Sequence, residues 1–138
     1  MTLRALAAAM ALLAAWACGP ARACGDQLGP QARRIDAAQV QLAYRLRPDP
    51  VPVGRHFAID IVVCPKGNVP LPAELRVDAT MPEHKHGMNY RPSIQPAGPG
   101  QYRAEGLLFH MPGRWELVFE LRDRNGPPQR LTQSLQVG

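Results

Sequence analysis

The sequence predicts an all-β fold, an immunoglobulin-like antiparallel β-sandwich of about seven strands. Three observations carry that prediction. Apolar and polar residues alternate with period two through most of the apolar segments. Turns rich in Pro and Gly separate those segments at short, regular intervals. No amphipathic helix of useful length appears, and alternation argues against a parallel α/β sheet, whose strands read as continuous apolar runs.

The chain opens differently. Arg4 precedes an Ala- and Leu-rich run from Ala5 to Ala17, and no acidic residue comes before Asp26. A basic start, a short apolar stretch and the small-residue site Ala21-Arg22-Ala23 read as a secretory signal over residues 1–23. The apolar run is too short to cross about 30 Å of hydrocarbon at about 1.5 Å per residue. A lipoprotein is disfavoured, because Trp16 and Arg22 fit a lipid-modification box poorly. The expected product is therefore periplasmic or secreted, with no transmembrane segment after processing. Cleavage takes 23 of the 138 residues and leaves 115, enough for one core. It also removes Arg4 and Arg22, leaving 14 basic against 11 acidic residues, a mild excess of three. The basic residues are scattered rather than clustered, which excludes a nucleic-acid-binding face.

Cys18 leaves with the signal, so Cys24 and Cys64 remain. Two cysteines in an oxidising compartment are expected to pair, tying the new N-terminus to a core strand. Their separation shows no C-x-x-C spacing for a thiolate metal site. Residues 24–38 read as an N-terminal leader, with a helical turn near Gln31–Ala37, and the sandwich domain spans 39–138.

Within that domain Val40, Leu42, Tyr44 and Leu46 alternate until Pro48-Asp49-Pro50 stops the run. Phe57, Ile59, Ile61 and Val63 form the next strand, ended by Pro65-Lys66-Gly67-Asn68. Leu75, Val77, Ala79 and Met81 follow, and then a short extended piece at Arg91–Gln95. Gly98-Pro99-Gly100 turns the chain into Gln101–His110. Met111-Pro112-Gly113 turns it into Trp115, Leu117, Phe119 and Leu121, and Arg130–Val137 closes the domain. Parity places Phe57, Ile59, Ile61, Val63, Leu75, Val77, Trp115, Leu117 and Phe119 inside. In Gln101–His110, Tyr102 and Ala104 set one register and Leu107 and Phe109 the other. A bulge at Gly106 would reconcile them.

One segment breaks the alternation: Met81-Pro82-Glu83-His84-Lys85-His86-Gly87-Met88-Asn89-Tyr90. His84 and His86 lie here, His110-Met111 ends a later strand, and only His56 stands apart from both. In an extended chain His84, His86 and Met88 share a face. Two imidazoles and a thioether on one face favour copper over zinc, which rarely takes methionine. His110 or Met111 would complete the shell, and Gly87 lets the backbone bend around an ion. The copper could be Cu(I) or Cu(II). No enzyme signature accompanies these residues. Neither Ser93 nor Ser134 sits in a G-x-S-x-G elbow, the acidic residues form no paired-carboxylate motif, and Cys64 lacks the following His or Met of an electron-transfer copper site.

Several of these residues also carry a family resemblance. His86-Gly87-Met88, Arg91-Pro92, Gly100-x-Tyr102 and Phe109-x-Met111-Pro112-Gly113-Arg114-Trp115-Glu116-Leu117 resemble the YtkA-like domain over about Phe57 to Leu121. That group is similar in pattern to the FixH-type accessory proteins of respiratory oxidase assembly. The resemblance implies an immunoglobulin-like sandwich on exported or membrane-anchored proteins, often associated with copper handling, with Trp115 in the core and Tyr102 pinning a corner by its hydroxyl. FixH-type members carry a membrane anchor, and the expected processed chain departs from them there. Two functions follow as expectations. One is a periplasmic copper-binding protein, a metallochaperone or copper-tolerance factor that passes metal to a protein partner. The other is a non-metal accessory domain docking on an exported or membrane-bound respiratory complex.

Overall fold

A computed structural model describes Gly19 and residues 21–138. The expected signal spans residues 1–23, of which 1–18 and Pro20 lie outside the described residues. Among the described residues nine strands form: β1 (Arg33–Asp36), β2 (Val40–Arg47), β3 (His56–Pro65), β4 (Glu74–Met81), β5 (His86–Gly87), β6 (Ser93–Gly98), β7 (Gln101–Leu108), β8 (Gly113–Arg122) and β9 (Gln129–Val137). All pair antiparallel, in two sheets of order β1-β2-β3-β7-β6 and β5-β4-β8-β9. The expected immunoglobulin-like sandwich is therefore the observed one, with β1 and the two-residue β5 added at sheet edges.

The inner faces follow the parity of the sequence. Phe57, Ile59, Ile61 and Val63 of β3, Leu75 and Val77 of β4, and Trp115, Leu117 and Phe119 of β8 are all buried in one core. Burying each large side chain contributes about 1.5–3 kcal/mol, so this layer supplies most of the drive to fold. The bulge sits where the pattern asked for it. Ala58 pairs with Glu105 and Phe57 with Leu107, so Gly106 is left over between them. Its φ of 86° is one that glycine adopts without strain. Ala104 and Leu107 thereby both face inward, though they are an odd number of residues apart.

The leader departs from its reading. Gln31–Ala37 is not helical. Residues 33–36 pair with β2 as an edge strand, and among the described residues the only helical piece is the 3-10 turn Asp26–Leu28. The edge of β2 offers backbone donors and acceptors that a short helix could not satisfy, so pairing wins. The leader also explains why alternation fails in β2 and β3. Ala43 and Val62 point away from the main core yet are buried, because Cys24 and Leu28 lie over them in a second apolar cluster. The Cys24–Cys64 disulfide forms as expected, and the Arg34 side chain donates to the Cys24 carbonyl at 2.7 Å. Only glycine fits at position 25. A Cβ there would stand 2.1 Å from the Cβ of Ala43.

One polar group enters the core. Tyr44 is fully buried, its ring 5.1 Å from that of Phe119. Burial holds its hydroxyl above the usual tyrosine pKa, and the nearby Arg33 guanidinium offsets this only in part. A raised folded-state pKa gives stability that is complete below the ordinary tyrosine range and is lost as pH rises through the folded value. Tyr44→Phe should leave neutral-pH stability within about 1 kcal/mol and flatten the loss of melting temperature above roughly pH 10. Parallel alkaline declines in the two proteins would contradict this.

Among the described residues no helix is long and apolar enough to cross a membrane.

Candidate metal centre

Strand direction decides which residues meet. β3 starts, and β4 and β7 end, at the same end of the sandwich where β8 begins. Residues 82–92, with the two-residue β5 among them, and residues 109–112 connect the strands there. His56 pairs opposite Leu108, only two residues before His110. All four histidines therefore gather at one end. The disulfide lies at the other, eight residues along β3 and about 26 Å away at about 3.3 Å per residue.

Three imidazoles form a row. The ring of His86 is 5.8 Å from that of His84 and 5.1 Å from that of His110, centroid to centroid. The arrangement differs from the expected straight segment. Pro82–Lys85 is a turn, with Lys85 at φ 56° and the His84 amide donating to the Met81 carbonyl at 3.1 Å. His84 thus reaches His86 from a turn instead of along an extended strand. His86 is set by β5, where it pairs with Met81. Its Nδ1 lies 3.3 Å from the Gly87 carbonyl. If Nδ1 carries the proton and donates there, Nε2 is the free donor atom.

Two side chains hold this end together. Trp115 is fully buried, 5.3 Å from His110 and 6.0 Å from His86, and its indole N–H donates to the Met111 carbonyl at 3.0 Å. That bond closes the turn from β7 to β8 that presents His110. Arg114 pairs with Glu83 at 3.1 Å and ties the His84 turn to β8. Both partners are about half exposed, so the pair contributes at most about 1 kcal/mol and mainly fixes position.

Met88 and Met111 are half-buried and pack against the core. Met88 also lines a groove of about 1060 Å³ along the free edge of β4, with Val77, Tyr90, Ile94 and Tyr102. Tyr102 is half-buried in that groove, and among the described residues its hydroxyl makes no hydrogen bond that would pin a corner. Among the described residues, no group of three or more His, Cys, Asp or Glu side chains is placed to hold an ion. The arrangement therefore offers imidazole nitrogens in adjacent pairs.

Trp115 was legible only as a core residue. Its position beside the imidazoles follows from the tight turn at Met111-Pro112-Gly113, which puts the first inward residue of β8 directly behind His110. His56 reads as unrelated to the cluster until the bulge fixes the β3–β7 register. Its ring then meets Tyr90 edge-on at 5.1 Å.

These features define a two-sheet β-sandwich carrying a histidine cluster at one end. The family model described as YtkA-like matches residues 36–120, more than half of the chain, and the protein belongs to that family. A crystal structure of a DUF4426 family protein from Pseudomonas aeruginosa PAO1 shares the fold, with TM-score 0.54 and 11% identity over 77% of this chain and 94% of that one. No curated protein matches.

Proposed function

We propose that this is a periplasmic copper-binding protein, a metallochaperone or copper-tolerance factor. The observation that carries the reading is the row of His84, His86 and His110, with Met88 and Met111 close in the chain. Imidazole and thioether donors together suit copper, and thioether favours Cu(I). Oxygen ligands are scarce here. The nearest carboxylate in sequence, that of Glu83, is engaged by Arg114, and the Met111 carbonyl by Trp115. His86 and His110 are the central pair in this reading, with a thioether completing the shell and His84 supporting from its turn. The Cys24–Cys64 disulfide fits an oxidising compartment, where such a site would meet its metal.

Titration of the protein from Cys24 onward with Cu(I) and with Cu(II) tests this. That piece carries every strand, the core and the disulfide. One equivalent should bind, and the triple change His84→Ala/His86→Ala/Met88→Ala should abolish it without unfolding the domain. Absent binding, or binding that survives the triple change, overturns the reading.

A docking role, on an exported or membrane-bound respiratory complex, has its own support. Val53 and Tyr90, two of the three large apolar side chains that stand exposed among the described residues, lie at the histidine end. Arg55, Lys85 and Arg91 are there too, with no carboxylate within 4.0 Å among the described residues. Such a patch suits an acidic partner surface and is compatible with metal delivery.

A further inference from the structure

We infer that Trp115 is a specificity-determining residue that makes the histidine site prefer Cu(I) to Cu(II). The inference rests on the copper reading and goes beyond it. One indole touches both central imidazoles, at 5.3 Å and 6.0 Å, and stands nearly perpendicular to His110, at 83°. It is backed by Phe109 at 4.9 Å and is fully buried, so it cannot swing away. Its N–H is committed to the Met111 carbonyl, so it offers the site an aromatic surface and no polar group.

An ion shared by His86 and His110 therefore rests against the indole. That wall has two consequences. An aromatic face attracts a cation, most strongly where water is excluded. It also closes the side from which water or a carboxylate would complete a tetragonal shell. Cu(II) needs that shell of nitrogen and oxygen donors, whereas a soft site of imidazole and thioether suits Cu(I). The tryptophan thus acts against one oxidation state as well as for the other. The same side chain is fixed to the turn that presents His110, so the wall and the ligand move together.

The test compares wild type with Trp115→Phe, both from Cys24 onward. Affinities for Cu(I) come from competition with a colorimetric chelator and those for Cu(II) from direct titration. Circular dichroism and the melting curve report the fold. The expected result is a Cu(I) affinity at least tenfold lower in Trp115→Phe, with Cu(II) affinity unchanged or higher. An unchanged ratio of the two affinities in a folded, copper-binding variant overturns this inference and leaves the copper reading standing. Failure of wild type to bind either ion overturns both. Trp115 is the only tryptophan after residue 16, so wild type offers a second readout that survives if Trp115→Phe does not fold. Adding Cu(I) should shift the near-ultraviolet absorption of the indole and quench its emission, and Zn(II) should not. A silent indole in Cu(I)-loaded protein counts against the proposal as fully as an unchanged ratio.

Discussion

Replacing both bridge cysteines, as Cys24→Ser/Cys64→Ser, should lower stability by about 2–4 kcal/mol and the melting temperature by roughly 10 °C or more. The bridge closes a separation of 40 residues, for which the chain-entropy account gives about 4 kcal/mol as an upper value. Its loss should be felt unevenly. The leader covers Ala43 and Val62 with Cys24, Leu28 and the half-buried Ala32, and its other ties are the short β1–β2 ladder and side-chain bonds such as Arg45 to the Leu28 carbonyl at 2.9 Å. An edge strand and bonds of this kind do not replace a covalent link. Amide exchange should therefore accelerate first over residues 24–36, while β4 and β8 keep their protection. Metal affinity should stay the same, because the bridge and the histidine row sit at opposite ends of β3. Unchanged melting would mean that the apolar cluster alone holds the leader. A large drop in metal affinity would mean that the two ends are mechanically coupled.

What could be read from the sequence, and what could not, follows one physical division. Period-two alternation reports which face of a strand meets a core, so the inner residues of β3, β4 and β8 were legible one by one. The bulge was legible too, because Ala104 and Leu107 demand opposite parities and Gly106 stands between them. Alternation is silent about segments whose outer face is covered as well. Val62 reads as a solvent-facing position, yet the disulfide lays the leader across it. The same limit hid β1, whose residues pack weakly and pair because β2 has an open edge. The histidine row shows a third case. Its members were legible by residue type, and His110 joins them through strand direction alone. The shared face of His84, His86 and Met88 assumed an extended chain that the Pro82–Lys85 turn does not provide. Convergence in this protein comes from where loops meet at one end of the sandwich, and single-strand periodicity carries no information about that.

His86→Ala should weaken copper binding by at least a hundredfold, and His84→Ala by tenfold or less. The difference comes from position in the row. His86 is the middle ring, in contact with His84 on one side and His110 on the other, so its removal leaves the outer imidazoles with no shared neighbour. It is also the ring whose orientation is best defined, by its place in β5 and by the Gly87 carbonyl beside Nδ1. A donor already held in position loses less freedom when an ion binds, so its share of the affinity is larger. His84 sits on an exposed turn that is tied down by the surface pair of Glu83 and Arg114. Ordering that turn around a metal costs part of what the ligand provides. Arg114→Gln should accordingly mimic His84→Ala in metal affinity while leaving the melting temperature nearly unchanged, since a half-exposed pair contributes little to stability. Equal losses for His84→Ala and His86→Ala would mean that the turn folds onto the ion and supplies a ligand of equal rank. A dominant loss at His84, with His86→Ala near wild type, would move the site off the sandwich end and out onto the turn, and Trp115 would then have no part in it.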